Sequence, residues 1–168
     1  GVFRQAPDVI VIGEMRDRAT FEIAIRAART GHLVLSTMNS FDSTAVIQTI
    51  INMFPVEQQE LIRLMLADSL MLSISQRLVK KIDGSGMLLA IEKLATSHRV
   101  KNFIRENRIH HIRSQMETGA EEFVPMDVAL ASYVRAGKIK FDEGLLHAGN
   151  PTYFRELANQ KPMNSNKK

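Results

Sequence analysis

Four consecutive β-branched residues, Val9-Ile10-Val11-Ile12, run straight into Gly13 and Glu14, and this stretch constrains the fold more than any other. A short apolar run bounded by polar residues reads as a buried strand covered on both faces, as in a parallel sheet. Gly13 ends the strand and leaves Glu14 at its C-terminal tip, the edge at which open α/β sheets bind ligands. Asp17 is placed to cap a helix that runs to about Thr30 and stops at Gly31. Phe21, Ala24, Ile25 and Ala28 form its apolar face, with Arg18, Glu22, Arg26 and Arg29 opposite. His32 to Thr37 reads as a second strand. The order predicts a parallel pair joined by a right-handed crossover, with the loop Met38-Asn39-Ser40-Phe41 on the same edge as Glu14.

Downstream, Asp42 or Ser43 caps a helix with Val46, Ile47, Ile50, Ile51 and Phe54 as its stripe, broken by Pro55. The next helix, from about Glu57 to Leu70, is expected to turn Leu61, Leu64, Met65 and Leu66 inward. Its methionines read as flexible core filling. Leu72 to Lys80 and Met87 to Glu92 read as a hairpin around Asp83-Gly84-Ser85-Gly86. Ser97 then caps a helix carrying Val100, Phe103 and Ile104. Helices over Arg108 to Thr118 (ending at Gly119), Asp127 to Ala136 (ending at Gly137) and from near Asp142 complete a small helical bundle. The polar end, Asn159 to Lys168, reads as disordered. The chain therefore divides into 1–95, an α/β core, 96–158, the bundle, and 159–168, the tail.

The sequence has no cysteine, which excludes disulfides and cysteine-bound zinc. No apolar run approaches the roughly 18–20 residues that cross a bilayer, and Gly1-Val2-Phe3-Arg4-Gln5 lacks the apolar core of a signal peptide, so a cytoplasmic protein is expected. The net charge of +4 comes from scattered basic residues, several in the tail, apart from Arg77, Lys80 and Lys81. That pattern speaks against a specific nucleic-acid face. His110-His111 reads as a surface pair, because neighbouring helical residues point about 100° apart and no third metal ligand is near in sequence.

An acid at the tip of a buried strand has the layout of a Walker B element, which holds magnesium through water or orients an attacking water. The wording of Pro7 to Asp17, PDVIVIGEMRD, resembles the Walker B segment of the type II/IV secretion ATPase superfamily, and within it the type IV pilus retraction (twitching motility) branch. Further stretches carry the same resemblance: Thr30-Gly31-His32-Leu33-Val34, Asn52-Met53-Phe54-Pro55, and Ile74 to Lys81 (ISQRLVKK). Arg99-Val100-Lys101-Asn102-Phe103-Ile104-Arg105-Glu106 is similar to the helix motif characteristic of retraction ATPases. Met126-Asp127 and Gly137-Lys138-Ile139 match the terminal helices. The likeness spans Phe3 to about Phe154.

The resemblance implies a RecA-like P-loop ATPase core of three layers, its C-terminal part only, followed by the bundle. It implies hexameric rings, ATP and Mg2+ as cofactors, and a partner in the pilus inner-membrane platform protein, with the motor peripheral to the inner membrane at the pilus base. Glu14 would be the catalytic acid, supported by Arg16 and Asp17. His32 would sit near the nucleotide or a subunit interface. Asn39 stands where the family carries the second histidine of its histidine box. A neutral amide can still donate to a phosphate but cannot carry a proton or a positive charge, and it can equally stabilise its own turn. Arg77 either reaches a nucleotide or neighbouring subunit or is a solvated edge residue. In the Arg99–Glu106 motif Val100, Phe103 and Ile104 pack inward, leaving Lys101, Arg105 and Glu106 for another subunit or a pilus-base protein.

No G-x-x-x-x-G-K-[ST] occurs in the sequence, so a phosphate-cradling loop is expected in a longer parent of which this chain is the C-terminal portion. The chain alone is expected to be inactive. The alternatives are a pilus-assembly or secretion ATPase, against which the missing four-cysteine metal insert counts, and a non-catalytic regulatory ring subunit, for which Asn39 counts.

Overall fold

The computed structural model describes residues 7–116 and 122–160. In chain order the elements are β1 (Val9–Ile12), α1 (Arg18–Arg29), β2 (Leu33–Ser36), α2 (Ser43–Asn52), α3 (Val56–Ser69), β3 (Leu72–Lys80), β4 (Met87–Ala95), α4 (His98–Arg105), α5 (His110–Met116), β5 (Phe123–Val124), α6 (Met126–Arg135), α7 (Phe141–His147) and α8 (Pro151–Asn159). They gather into two units, 7–73 with 95–116 and 74–94 with 122–160, each with a core of its own.

In the first unit the helix starts are set by side-chain caps. Asp17 Oδ1 accepts the Thr20 N–H at 2.8 Å, Asp42 Oδ1 the Ala45 N–H at 2.8 Å, and Ser97 Oγ the Val100 N–H at 3.3 Å. The ends of α1 and α4 share one device. At α1, Gly31 has φ +95°, its N–H donates to the Ala28 carbonyl, and the His32 N–H donates to the Ala27 carbonyl. At α4 the left-handed residue is Asn107 at φ +57°, and the Arg108 N–H donates to the Phe103 carbonyl at 2.7 Å. Both are Schellman closures, which need a residue that tolerates positive φ.

Strands β1 and β2 are parallel, in the register Val9↔Leu33 to Ile12↔Ser36. One expectation fails here. Val9 and Val11 are 48% and 74% exposed, and Leu33 and Leu35, which the register sets on the same face, are 46% and 49% exposed. Helix α1 packs on β2. Among the described residues the sheet has two strands, and its face carrying Val9, Val11, Leu33 and Leu35 is open rather than covered.

The core of this unit joins Phe21, Ala24, Ile25 and Ala27 of α1 to Ile47, Ile50 and Ile51 of α2, Ile62, Leu66 and Ala67 of α3, and Val100, Ile104 and Ile112 of α4 and α5. Phe21 and Phe54 meet edge to face at 6.4 Å. The inward face of α3 agrees with the expected one at Leu66, is half-buried at Met65 and differs at Leu61 and Leu64. Ile62 and Leu66, four residues apart and therefore stacked, point inward, while Leu61 and Leu64 are 59% and 42% exposed.

In the second unit the sheet order is β3-β4-β5. The Lys81 N–H donates to the Gly86 carbonyl at 3.0 Å and closes the turn between β3 and β4. Strand β5 pairs antiparallel with β4 through Lys93↔Val124 and Leu94↔Phe123. Val79 and Ala90 from the sheet form a core with Met126, Leu130, Ala131, Ile139 and Phe154. Two polar contacts pin helices to the sheet: the Tyr133 hydroxyl donates to the Leu89 carbonyl at 2.7 Å, and Glu143 Oε1 accepts the Lys80 N–H at 2.7 Å. Helices α6, α7 and α8 pack on one another. Helix α8 was not anticipated, although Asn150 and Pro151 announce it. Asn150 Oδ1 accepts the N–H groups of Thr152 and Tyr153, each at 3.1 Å, and Pro151 occupies the first turn, where no donor is needed.

Packing groups these elements differently from the division at residue 95. Helices α4 and α5 belong with the first unit, held by the buried Val100, Ile104 and Ile112 and by two ion pairs, Arg105 to Asp68 at 2.6 Å and Arg113 to Asp42 at 3.2 Å. Strands β3 and β4 belong with α6–α8 because Val79 and Ala90 complete that core. Of the tail expected at 159–168, Asn159 ends α8 and Gln160 is its C-cap, while 161–168 lie outside the described residues. Thr118 and Gly119, the expected end of α5, also lie outside them.

Candidate functional site

The C-terminal edge of the β1–β2 pair gathers the residues on which the chemistry would depend. After Ile12 the chain leaves the sheet through Gly13, Glu14, Met15 and Arg16 and enters α1 at its cap, Asp17. Strand β2 leaves beside it through Thr37. The Thr37 hydroxyl donates to the Gly13 carbonyl, and the Met15 N–H donates to the Thr37 carbonyl at 3.0 Å. The loops after β1 and β2 are thereby stitched together on either side of residue 14.

Arg16 Nη2 lies 2.6 Å from Glu14 Oε2, with side-chain exposures of 78% and 34%. The hydrogen bond from Arg16, aided by its charge, holds the Glu14 carboxyl below its ordinary range. Glu14 is therefore an ionised, solvent-facing acid at neutral pH. Asp17 is held low as well, by the Thr20 N–H and then the Thr20 hydroxyl. Both of its oxygens are engaged with Thr20, at 2.8 and 3.0 Å, so Asp17 serves as a cap.

Asn39 stands two residues beyond Thr37 on this same edge and is exposed. His32 lies at the opposite end. It immediately precedes Leu33, the partner of Val9, whereas Glu14 lies beyond Ile12. From the level of His32 to Ile12 the strand alone spans about 13 Å, at about 3.3 Å per residue. There His32 Nδ1 is 3.0 Å from the Ala27 carbonyl and 3.1 Å from Thr30 Oγ1. It caps the C-terminus of α1 with its ring as it does with its backbone. Arg77 is on β3 in the second unit, half-buried, with Nη1 donating to the Gln76 carbonyl at 3.1 Å.

The Arg99–Glu106 stretch forms α4 as expected, with Val100, Phe103 and Ile104 buried. Arg105 donates to Asp68 at 2.6 Å and to Asn102 at 3.2 Å, so it is spent within the unit. Arg99 and Glu106 are exposed and Lys101 is half-buried. Glu106 pairs with Arg108 at 3.3 Å. The His110 and His111 rings lie 4.2 Å apart, and no cluster of three potential metal ligands occurs among the described residues. Beside α1 a groove of about 490 Å3 is lined by Ile25, Arg26, Arg29, Phe54, Leu61 and Met65.

The donor set suits magnesium in one way only. A single ionised, exposed carboxylate matches an ion that keeps most of its waters, so Glu14 would hold it through water.

The family described as type II/IV secretion system protein matches residues 1–160. The chain belongs to that family. Among secretion system relatives it is 43% identical over 137 residues to a twitching motility protein of Neisseria gonorrhoeae, covering 81% of this chain and 37% of the relative. It is 36% identical over 152 residues to the type IV pilus retraction ATPase PilT of Pseudomonas aeruginosa, covering 90% and 44%. A crystal structure of the pilus retraction motor PilT with bound ADP superposes with a TM-score of 0.83 at 37% identity, over 92% of this chain and 43% of that one. The α/β, RecA-like class expected from the sequence is the fold of this family member. The chain spans well under half the length of these relatives.

Proposed function

We propose that this secretion-family chain is part of a hexameric ATPase that hydrolyses ATP to drive retraction of type IV pili. One observation carries the reading: an ionised carboxylate, Glu14, stands at the C-terminal edge of a parallel strand pair in a chain similar over 92% of its length to the ADP-bound retraction motor PilT. When bound, ATP with Mg2+ supplies the β–γ bond to be broken. Glu14 orients the attacking water and takes up its proton, while the neutral amide of Asn39, on the same edge, donates to phosphate oxygen. For Glu14 to do this, Arg16 must yield the carboxylate it holds. The phosphate cradle comes from sequence outside this segment.

His32, which caps α1, supports the edge from the far end. Arg99, Lys101 and Glu106 form the surface that α4 offers to a neighbouring subunit or to the pilus inner-membrane platform protein. No helix among the described residues is long and apolar enough to cross a membrane, and the motor works on the cytoplasmic side, peripheral to the inner membrane. Asn39 favours a second reading, a ring subunit that regulates an active partner.

The test is Mg2+-dependent ATP hydrolysis by the full-length protein beside Glu14→Gln and Asn39→His. The expected result is a fall of about a hundredfold or more with Glu14→Gln, the usual scale for loss of a general base, and a rise with Asn39→His. Hexamers that form without hydrolysis in any version would remove the motor reading in favour of the regulatory one.

A further inference from the structure

The two hydrogen bonds made by Thr37 enclose the residue that the proposed chemistry most needs. Its hydroxyl donates to the carbonyl of Gly13 and its own carbonyl accepts the N–H of Met15 at 3.0 Å, so both peptide neighbours of Glu14 are fixed by one residue 23 positions away. The sheet alone does not supply this constraint. The β1–β2 ladder ends at Ile12↔Ser36, and beyond it Gly13 has no side chain to pack and Glu14 and Arg16 are exposed. Without Thr37 the path from Ile12 to the Asp17 cap would be an unanchored glycine-led loop, and the Glu14 carboxylate would share its mobility.

We infer that Thr37 is a positioning residue for Glu14, setting the direction of the carboxylate by clamping the peptide units before and after it. The inference rests on the proposed role of Glu14 and adds the device that makes the acid effective. Thr37 touches neither nucleotide nor water in this role. It acts because placement within a fraction of an ångström decides how well a base meets its proton. The adjoining loop gives the clamp a footing: five residues after Thr37, Asp42 caps α2 and is paired with Arg113 at 3.2 Å.

The test uses the full-length protein with Thr37→Val, which keeps the β-branched shape and loses the hydroxyl, and Thr37→Ser, which keeps the hydroxyl. Thr37→Val should lower kcat about tenfold, the rate equivalent of one hydrogen bond of about 1.4 kcal/mol. KM for ATP should stay within about twofold, and Thr37→Ser should restore kcat. In the Glu14→Gln background Thr37→Val should have no further effect, since there is no longer an acid to aim. Amide exchange at Met15, whose N–H keeps the backbone carbonyl of residue 37 as its acceptor, should quicken in Thr37→Val as the Gly13 side of the loop comes loose, and not in Thr37→Ser. An unchanged kcat in Thr37→Val would overturn the inference, as would a loss that persists undiminished in Glu14→Gln. If the parent protein does not hydrolyse ATP, the motor reading falls by itself, and unchanged exchange at Met15 would then overturn the clamp.

Discussion

Gly144, inside α7, offers a sharp test of the second core. A Cβ added there would stand 2.6 Å from Phe154 Cζ, 2.9 Å from its Cε2 and 3.2 Å from Val134 Cγ2. Carbon atoms in contact prefer about 3.5–4.0 Å, so the Gly144→Ala methyl arrives about 1 Å too close to the ring. The ring has little room to retreat. Phe154 is fully buried, and the Phe141 ring lies against it with centroids 5.3 Å apart. Two effects of known size then compete. Alanine is better than glycine in a helix by about 1 kcal/mol, and overpacking of this kind costs about 1–3 kcal/mol. The clash wins, for a net loss of about 1 kcal/mol, which in a chain of this size lowers the melting midpoint by about 2–4 °C. The assay is thermal unfolding followed by far-UV circular dichroism, with Phe154→Leu as partner. The smaller side chain makes room, so Gly144→Ala should be less harmful in that background, with a coupling of about 1 kcal/mol. A higher midpoint for Gly144→Ala alone, or strict additivity in the pair, would refute the close approach of α7 and α8.

Asp42 links stability to pH. Its burial pushes the carboxyl up, but the Ala45 N–H, the Thr44 hydroxyl and the charge of Arg113 outweigh that and leave it below its ordinary 3.8. A group lowered on folding contributes its stability fully above the unfolded value and loses it as the pH falls through the folded one. Denaturant midpoints should therefore drop on acidification below about pH 4, and Asp42→Asn should flatten that part of the profile. His32→Ala should lower the melting midpoint by the loss of one cap, about 0.5–1 kcal/mol, while leaving KM for ATP unchanged. A raised KM with unaltered stability would return His32 to a nucleotide-sensing role.

What the sequence disclosed was mostly short-range chemistry. Asp17, Asp42 and Ser97 cap the helices they were expected to cap, and Gly31 and Gly137 stop theirs in the left-handed conformation, because each device is built from residues within one turn. The parallel pairing of β1 and β2 was legible for the same reason: an apolar run, a capped helix and another apolar run leave few alternatives. The misreadings are non-local. Which side of α3 is buried depends on where α1, α2 and α4 lie, and periodicity alone put Leu61 and Leu64 on it with Leu66. Strand β5 is two residues long and exists only through Lys93 and Leu94. Within the site, Glu14 and Asn39 stood out by chemistry and do share an edge. His32 also stood out, but by its place in a motif, and its ring closes a helix some distance away. Thr37 drew no notice because threonine is an ordinary strand residue. Only the pairing partner 23 positions earlier in the chain, Glu14 with its flanking peptides, gives it meaning.

The chain passes from the first unit to the second after residue 73, returns at 95, and leaves again after 116. During synthesis residues 7–73 therefore emerge without the helices that complete their core, and the ribosome must deliver the whole β3–β4 hairpin before Val100, Ile104 and Ile112 become available. The second unit waits longer still, since Phe154 lies in its last helix. Neither unit can be released by a single cut or expressed as one uninterrupted stretch. A nick in the 81–86 turn would leave both cores made of the same residues, whereas a chain ended at residue 95 would strip α4 and α5 from the first.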